Sequence, residues 1–235
     1  MLAIYKRELR SYFVSPIGYI FVAIFLIASG LLFSYCTLHA GANSSTATYF
    51  SLLMYVFIIV LPLLTMKLFA DEKKMRTEAL LLTSPVSLMG MVAAKFLAAY
   101  TVFATTFLIS CLDFLVLYQY GTPNTAILFG SALAILLAGA ACIAIGVFIS
   151  SLTENQLIAA LGTMAIIVFF VLTSLLNGYI DNAYIRAVIN WVSIMERFTN
   201  FTSGIFDFNA IVYYLSLSFV FLFLTVRVYD KRRWN

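Results

Sequence analysis

Residues 125–150, TAILFGSALAILLAGAACIAIGVFIS, decide the fold. This run of 26 residues carries no charged side chain, and about 20 apolar residues in helix are enough to cross a bilayer core of about 30 Å. Working outward, five further stretches read the same way: 17–38, 49–66, 88–118, 156–176 and 210–226. Only Lys95 and Asp113 interrupt the third. Alternating apolar and polar strands of about ten residues, the mark of a membrane barrel, are not found. The expected fold is all-α: a single polytopic membrane domain, 1–235, with six transmembrane helices.

Composition agrees. The chain is 63% hydrophobic and 10% charged, against about 45–50% and about 25% for a soluble domain. A soluble enzyme, a nucleic-acid-binding protein and a disordered chain are all excluded. Three cysteines, Cys36, Cys111 and Cys142, lie inside apolar runs and offer no disulfide framework or zinc spacing.

The net charge of +4 matters less than its placement. Lys6, Arg7 and Arg10 precede the first span; Lys67, Lys73, Lys74, Arg76 and Lys95 surround the second connection; Arg227, Lys231, Arg232 and Arg233 end the chain. These are 12 of the 14 basic residues, and only Arg186 and Arg197 fall on the other side. Basic loops stay in the cytoplasm, so both termini are expected there. A cleavable signal core is only about 7–15 residues long, and the first apolar run exceeds that.

Four connections carry further information. In 1–15, Leu2, Tyr5, Leu9, Tyr12 and Phe13 recur at helical spacing while Lys6, Arg7 and Arg10 occupy the other side, as in a helix lying in the headgroup layer. A plain basic flank reads equally well. Ser15-Pro16 ends this segment, because the residue before proline avoids helix. In 71–87, DEKKMRTEALLLTSPVS, a charged opening leads into Met75, Ala79, Leu80 and Leu82, then Pro85. It reads as a short cytoplasmic helix over 71–84 that offers apolar residues to a partner protein, to the membrane or to the chain's own helices. Ser87 suits the cap of the next helix. In 150–156, Thr153 and Gln156 have capping-box spacing. Finally, 179–207 sets an apolar stripe (Ile185, Val188, Ile189, Val192, Met195, Phe198) against a polar one (Arg186, Asn190, Ser193, Arg197). That suits a helix in the outer interface, as a lid, a gate or a docking surface.

Chemistry is sparse. There is no Gly-rich loop ending in Lys-Ser/Thr for nucleotide phosphates, and His39 is the only histidine. Metal pairs and Ser-His-Asp arrangements are therefore not expected. Asp113 is the ionisable residue weighed within a span. At 1.5 Å per residue it lies roughly 27 Å beyond Lys95, near the outer boundary, as a structural group or a substrate or ion contact.

The order of these parts resembles the permease subunits of type-2 ATP-binding-cassette exporters. KRELRSYFVSPIGYIFVAIF (6–25), LPLLTMKLFADEKK (61–74), TEALLLTSPVSLMGMVAAKFLAA (77–99), SLTENQLIAAL (151–161) and RFTNFTSGIFDFNAIVYYLSLSFVFLFLT (197–225) are similar to the gliding-motility-associated permease subfamily of Bacteroidetes-type bacteria. The resemblance implies a homodimer in the bacterial inner membrane, whose two copies each bind a separate cytoplasmic ATPase. That partner holds ATP and Mg; the permease itself has no cofactor and no catalysis. It implies that 71–83 contains the coupling helix seated in the ATPase, with Lys74, Met75, Arg76, Thr77, Glu78, Ala79, Leu80, Leu81, Leu82 and Thr83 at the contact. The subfamily pattern there is Gly-Thr-x-Glu-Leu-Leu. This chain places Arg76 at the glycine and moves the carboxylate one residue back, to Glu78, which rotates it by about 100° on a helix.

Four functions follow as alternatives: an ATP-driven permease half, an ATP-independent channel or carrier, a membrane-embedded enzyme, and an anchor in a motility or secretion complex. The channel would need midplane charges and broken helices, and the enzyme lacks a nucleophile–base pair. The anchor would bind a large extracytoplasmic subunit through 179–207.

Overall fold

A computed structural model describes residues 1–38, 46–77, 87–120, 124–176, 184, 190–191 and 193–234. These residues form helices and no strand, since in hydrocarbon each backbone donor and acceptor must be paired within its own segment. In chain order the helices are α1 (Leu2–Val14), α2 (Pro16–Phe33), α3 (Thr46–Thr65), α4 (Lys67–Lys74), α5 (Leu88–Ser110) and α6 (Asp113–Tyr120). They continue with α7 (Thr125–Leu152), α8 (Gln156–Leu176), α9 (Ile194–Thr202) and α10 (Phe208–Trp234). Six stretches are long and apolar enough to span a bilayer: Pro16–Thr37, Thr46–Lys74, Leu88–Val116, Thr125–Leu152, Gln156–Ser174 and Phe208–Arg232. The described residues are thus those of an all-α, polytopic membrane protein with six membrane-length helices, as hydropathy predicted.

The core is built around α7. Two-thirds (67%) of its apolar window is buried, against 17% for α10, which therefore lies at the rim. An uncharged helix of small residues suits the centre, because backbones approach closely where side chains are short. Ala134, Ala138, Ala141, Ala144 and Gly146 are all buried there. Gly146 packs closely on α3: a Cβ at that position would lie 2.1 Å from Thr65 Oγ1. Helix α7 touches α3, α4, α5, α8, α9 and α10. Aromatic pairs fill the space between α2, α3 and α5, with Phe25, Phe57 and Phe103 in mutual ring contact.

Local signals explain the helix ends. Ser15 is extended (φ −89°, ψ 152°) ahead of Pro16 and closes α1. Ser87 Oγ accepts from Gly90 N at 3.2 Å, the expected cap of α5. The third span is broken between α5 and α6 by a turn at Cys111–Leu112, a feature hydropathy does not show.

Three sequence expectations are revised. The capping box at Thr153–Gln156 does not form: Asn155 Oδ1 caps α8 through Leu157 N at 2.9 Å, and the Gln156 amide reaches Asp71 instead. No separate helix starts at residue 71, because Asp71 to Lys74 finish α4, the continuation of the second span, and 75–77 form a turn. The stripe across 179–207 is not carried by one helix. Ser193 is an N-cap, accepting from Glu196 N at 3.4 Å, and α9 begins after it.

Candidate functional site

The second span is interrupted near its end, where α3 passes into α4. Pro62 sits inside α3, where its missing N–H and its ring disturb the helical ladder. One turn later, at Met66, the helix breaks. A single hydroxyl from α7 satisfies the backbone groups this leaves. Ser150 Oγ accepts from Phe69 N (3.1 Å) and Ala70 N (3.2 Å) and donates to Met66 O (3.1 Å). Ser150 and Thr65 are both fully buried, and Thr65 Oγ1 donates to Leu61 O at 3.2 Å. Buried backbone groups need such partners, so α4 is held in place by a side chain from another span.

Beyond the break, four charges close a ring. Lys95 Nζ on α5 lies 2.9 Å from Glu72 Oε1 on α4 and 3.2 Å from Glu8 Oε1 on α1. Arg7 reaches the same two oxygens, at 2.7 Å to Glu8 and 2.8 Å to Glu72. Positive and negative charges alternate around the ring and sum to zero. Lys95 is 0% exposed; it also donates to Leu68 O at 2.7 Å and lies over the Phe69 ring, 4.9 Å from its centroid. An ammonium in so dry a place is tolerated only when its protons are all taken, and this one has two carboxylates, a carbonyl and a π face. Arg7 forms the outer corner. Partial burial alone would lower its pKa, but its hydrogen bonds and the charges of Glu8 and Glu72 outweigh that and raise it.

Further contacts tie the same elements together. Tyr12 on α1 donates to Leu64 O at 2.9 Å, and burial, with the nearby charge of Glu8, pushes its phenol pKa well up. The Gln156 amide donates to Asp71, and Arg232 at the end of α10 donates to Ser151 O at 3.2 Å. A cleft of about 980 Å³ lies between α1 and α4, with Tyr12, Glu72, Lys74 and Thr77 among its lining. Segments 7–12, 64–77, 95, 150–156 and 232 thus meet at one end of the bundle. The arrangement is a joint that ties α1, α4, α5, α7 and α10 together.

The residues singled out from the sequence fall in several places. Lys74 ends α4. Met75 is 68% exposed. Arg76 has φ 55°, a left-handed conformation that favours glycine. Thr77 donates to Glu72 O through its N (3.0 Å) and its Oγ1 (3.3 Å). Glu78, Ala79, Leu80, Leu81, Leu82 and Thr83 lie outside the described residues. On α1, Lys6 and Arg10 are exposed, and of the three cations only Arg7 enters the ring. Asp113 is half-buried and opens α6, where a negative charge suits the helix dipole.

At the opposite end, Ile185, Arg186 and Ile189 lie outside the described residues, and Asn190 is half-buried. Met195 packs on the core. The Arg197 guanidinium lies 4.5 Å from the Tyr213 ring centroid and donates to Trp191 O at 3.4 Å. Tyr214 donates to Ile194 O at 2.8 Å, fixing α9 on α10.

Sequence reasoning passed over Glu8, Glu72 and Ser150 and used Lys95 only as a topology charge. One signal was present. Lys95, like Asp113, sits inside an apolar run, where an ionisable residue marks a functional position by default.

Residues 37–229 match the family described as ABC-2 family transporter protein. No curated protein matches the chain. The matched region takes in most of the sequence, from the end of the first span into the last, and it contains the break at Met66, Glu72, Lys95 and Ser150. The chain belongs to the ABC-2 transporter family and is a membrane permease, not itself catalytic.

Proposed function

We propose that this permease is half of a dimer in the bacterial inner membrane, with both termini cytoplasmic, and that each half is driven by a separate ATPase subunit that binds ATP and Mg. The segment from Lys74 to Thr83 is the seat of that ATPase. Closure of the two ATPases on nucleotide pulls the seats together, and the bundles rock between two states. Such a cycle needs differential contacts in the two states, and it needs the seat to be tied stiffly to the spans.

The observation that carries this reading is the ring of Arg7, Glu8, Glu72 and Lys95. It joins the helix leading into the seat to α1 and α5, so a pull on α4 is passed to the bundle rather than absorbed by a loose arm. The test is to co-purify the chain with a soluble subunit bearing a phosphate-binding loop, then repeat with Leu80→Asp. The variant should insert normally, lose the subunit and lose permease-stimulated ATP hydrolysis. Equal recovery of the subunit, with unchanged hydrolysis, would remove 74–83 as the seat.

A second reading has ATP work acting on a large extracytoplasmic partner, as in a gliding-motility or secretion anchor. Trp191, Ile205 and Phe206, at the end of the bundle away from the ring, are 69%, 62% and 65% exposed, which supports a docking face there. Deleting 179–192 should then abolish capture of an outer subunit and leave ATPase binding intact.

A further inference from the structure

Helix α1 has a face that the joint does not use. At 100° per residue, Lys6 and Arg10 stand 40° apart, and Arg7 is 60° beyond Arg10. Lys6 and Arg10 are exposed and form no ion pair among the described residues. The Arg7 side chain is 53% exposed although it holds both carboxylates of the ring. Leu2 (68%), Phe13 (46%) and Val14 (76%) are exposed as well, so Leu2 and Phe13 border the cations rather than face away from them as the helical spacing suggested. Cations flanked by exposed apolar groups, on a helix packed against α2 and α5, fit the boundary between headgroups and acyl chains.

We propose that Lys6, Arg7 and Arg10 form a docking strip for the phosphate of an acidic phospholipid, and that Arg7 is shared between this headgroup and Glu72. Charge complementarity selects the occupant. The strip is wholly cationic, the greasy flanks suit acyl chains, and the carboxylates nearby are turned inward onto Lys95. A phosphate that takes part of the Arg7 guanidinium weakens the outer corner of the ring while Lys95 keeps the inner one. The membrane's anionic content thereby reaches the arm that leads to the ATPase seat.

The test uses the full chain in detergent micelles, titrated with phosphatidylglycerol or phosphatidylcholine, with bound lipids resolved by native mass spectrometry. Phosphatidylglycerol should bind more tightly. Lys6→Gln with Arg10→Gln should raise the dissociation constant of the tightest phosphatidylglycerol roughly thirtyfold, since each surface cation contributes about fivefold. The control pair Lys231→Gln with Arg233→Gln removes the same charge outside the strip and should cost clearly less. Glu72→Gln should tighten phosphatidylglycerol binding by neutralising one of the two carboxylates that hold Arg7.

Equal losses in the two double variants, or no preference over phosphatidylcholine, would overturn the strip. So would unchanged lipid binding in Lys6→Gln/Arg10→Gln together with loss of an acidic protein partner. An unchanged constant in Glu72→Gln would overturn the sharing of Arg7. The proposal rests on the cytoplasmic topology above only for its leaflet. Binding in micelles is independent of that topology, which is checked separately by labelling Lys6→Cys in sealed vesicles with an impermeant maleimide.

Discussion

Lys95 Nζ and Glu72 Oε1, on two different spans, stand 2.9 Å apart with the lysine wholly buried. A charge pair in that setting is costly to leave half made. Lys95→Met should destabilise the protein by about 3 to 5 kcal/mol, read as a fall in the thermal unfolding midpoint in micelles. Adding Glu72→Gln should return part of that loss, because one stranded carboxylate is then neutral. Strict additivity of the two changes would mean the pair carries no coupling.

Ser150 serves three backbone groups at the break in the second span. Ser150→Ala removes them together and should cost about 1 to 3 kcal/mol. The effect should be local: amide hydrogen exchange should rise at Phe69 and Ala70 ahead of the rest of α4. A uniform rise across the bundle would contradict the assignment of Ser150 as the clamp.

Two helical glycines should respond oppositely to alanine. At Gly146 a new Cβ would meet Thr65 Oγ1 at 2.1 Å and Thr65 Cβ at 2.6 Å, and at Gly30 it would meet nothing within 4 Å. Gly146→Ala should destabilise by about 1 to 3 kcal/mol. Gly30→Ala should gain up to about 1 kcal/mol by restricting the unfolded chain. Thermal midpoints of the two variants decide it.

Arg76 holds φ 55° at the turn that ends α4. A residue with a Cβ is strained there by about 1 to 2 kcal/mol, so Arg76→Gly should raise the unfolding midpoint and Arg76→Val should lower it. Identical effects of the two would show that the charge of Arg76, not its backbone, matters.

At the other end of the bundle, the Asp207 carboxylate accepts from Asn200 Nδ2 (2.9 Å) and from Asn209 N (2.9 Å). Chiefly the Asn200 bond holds its pKa below the ordinary carboxylate value. A depressed folded pKa gives stability that is complete above the unfolded value and lost as pH falls through the folded one. The difference in unfolding midpoint between the protein and Asp207→Ala should therefore be constant at neutral pH and shrink under acid. A gap that persists below the folded pKa would assign the effect to packing.

The sequence by itself determined the six spans, the helical class, the cap at Ser87 and the gathering of basic residues into the same set of connections. Each is a property of neighbours along the chain: hydropathy over about 20 residues, a proline's effect on the residue before it, a hydroxyl three residues from its amide. The joint is of another kind. Glu8 and Lys95 are 87 positions apart, and Ser150 is 81 from Phe69, so no window along the chain relates them. Gln156 shows the same limit in reverse: its spacing from Thr153 suggested a local cap, and the tertiary fold gave it Asp71 instead. Which charges are buried, and which helix each one holds, was decided only when α1, α4, α5 and α7 packed together. Burial in a dry interior is what turns an ordinary lysine into one that must be paired.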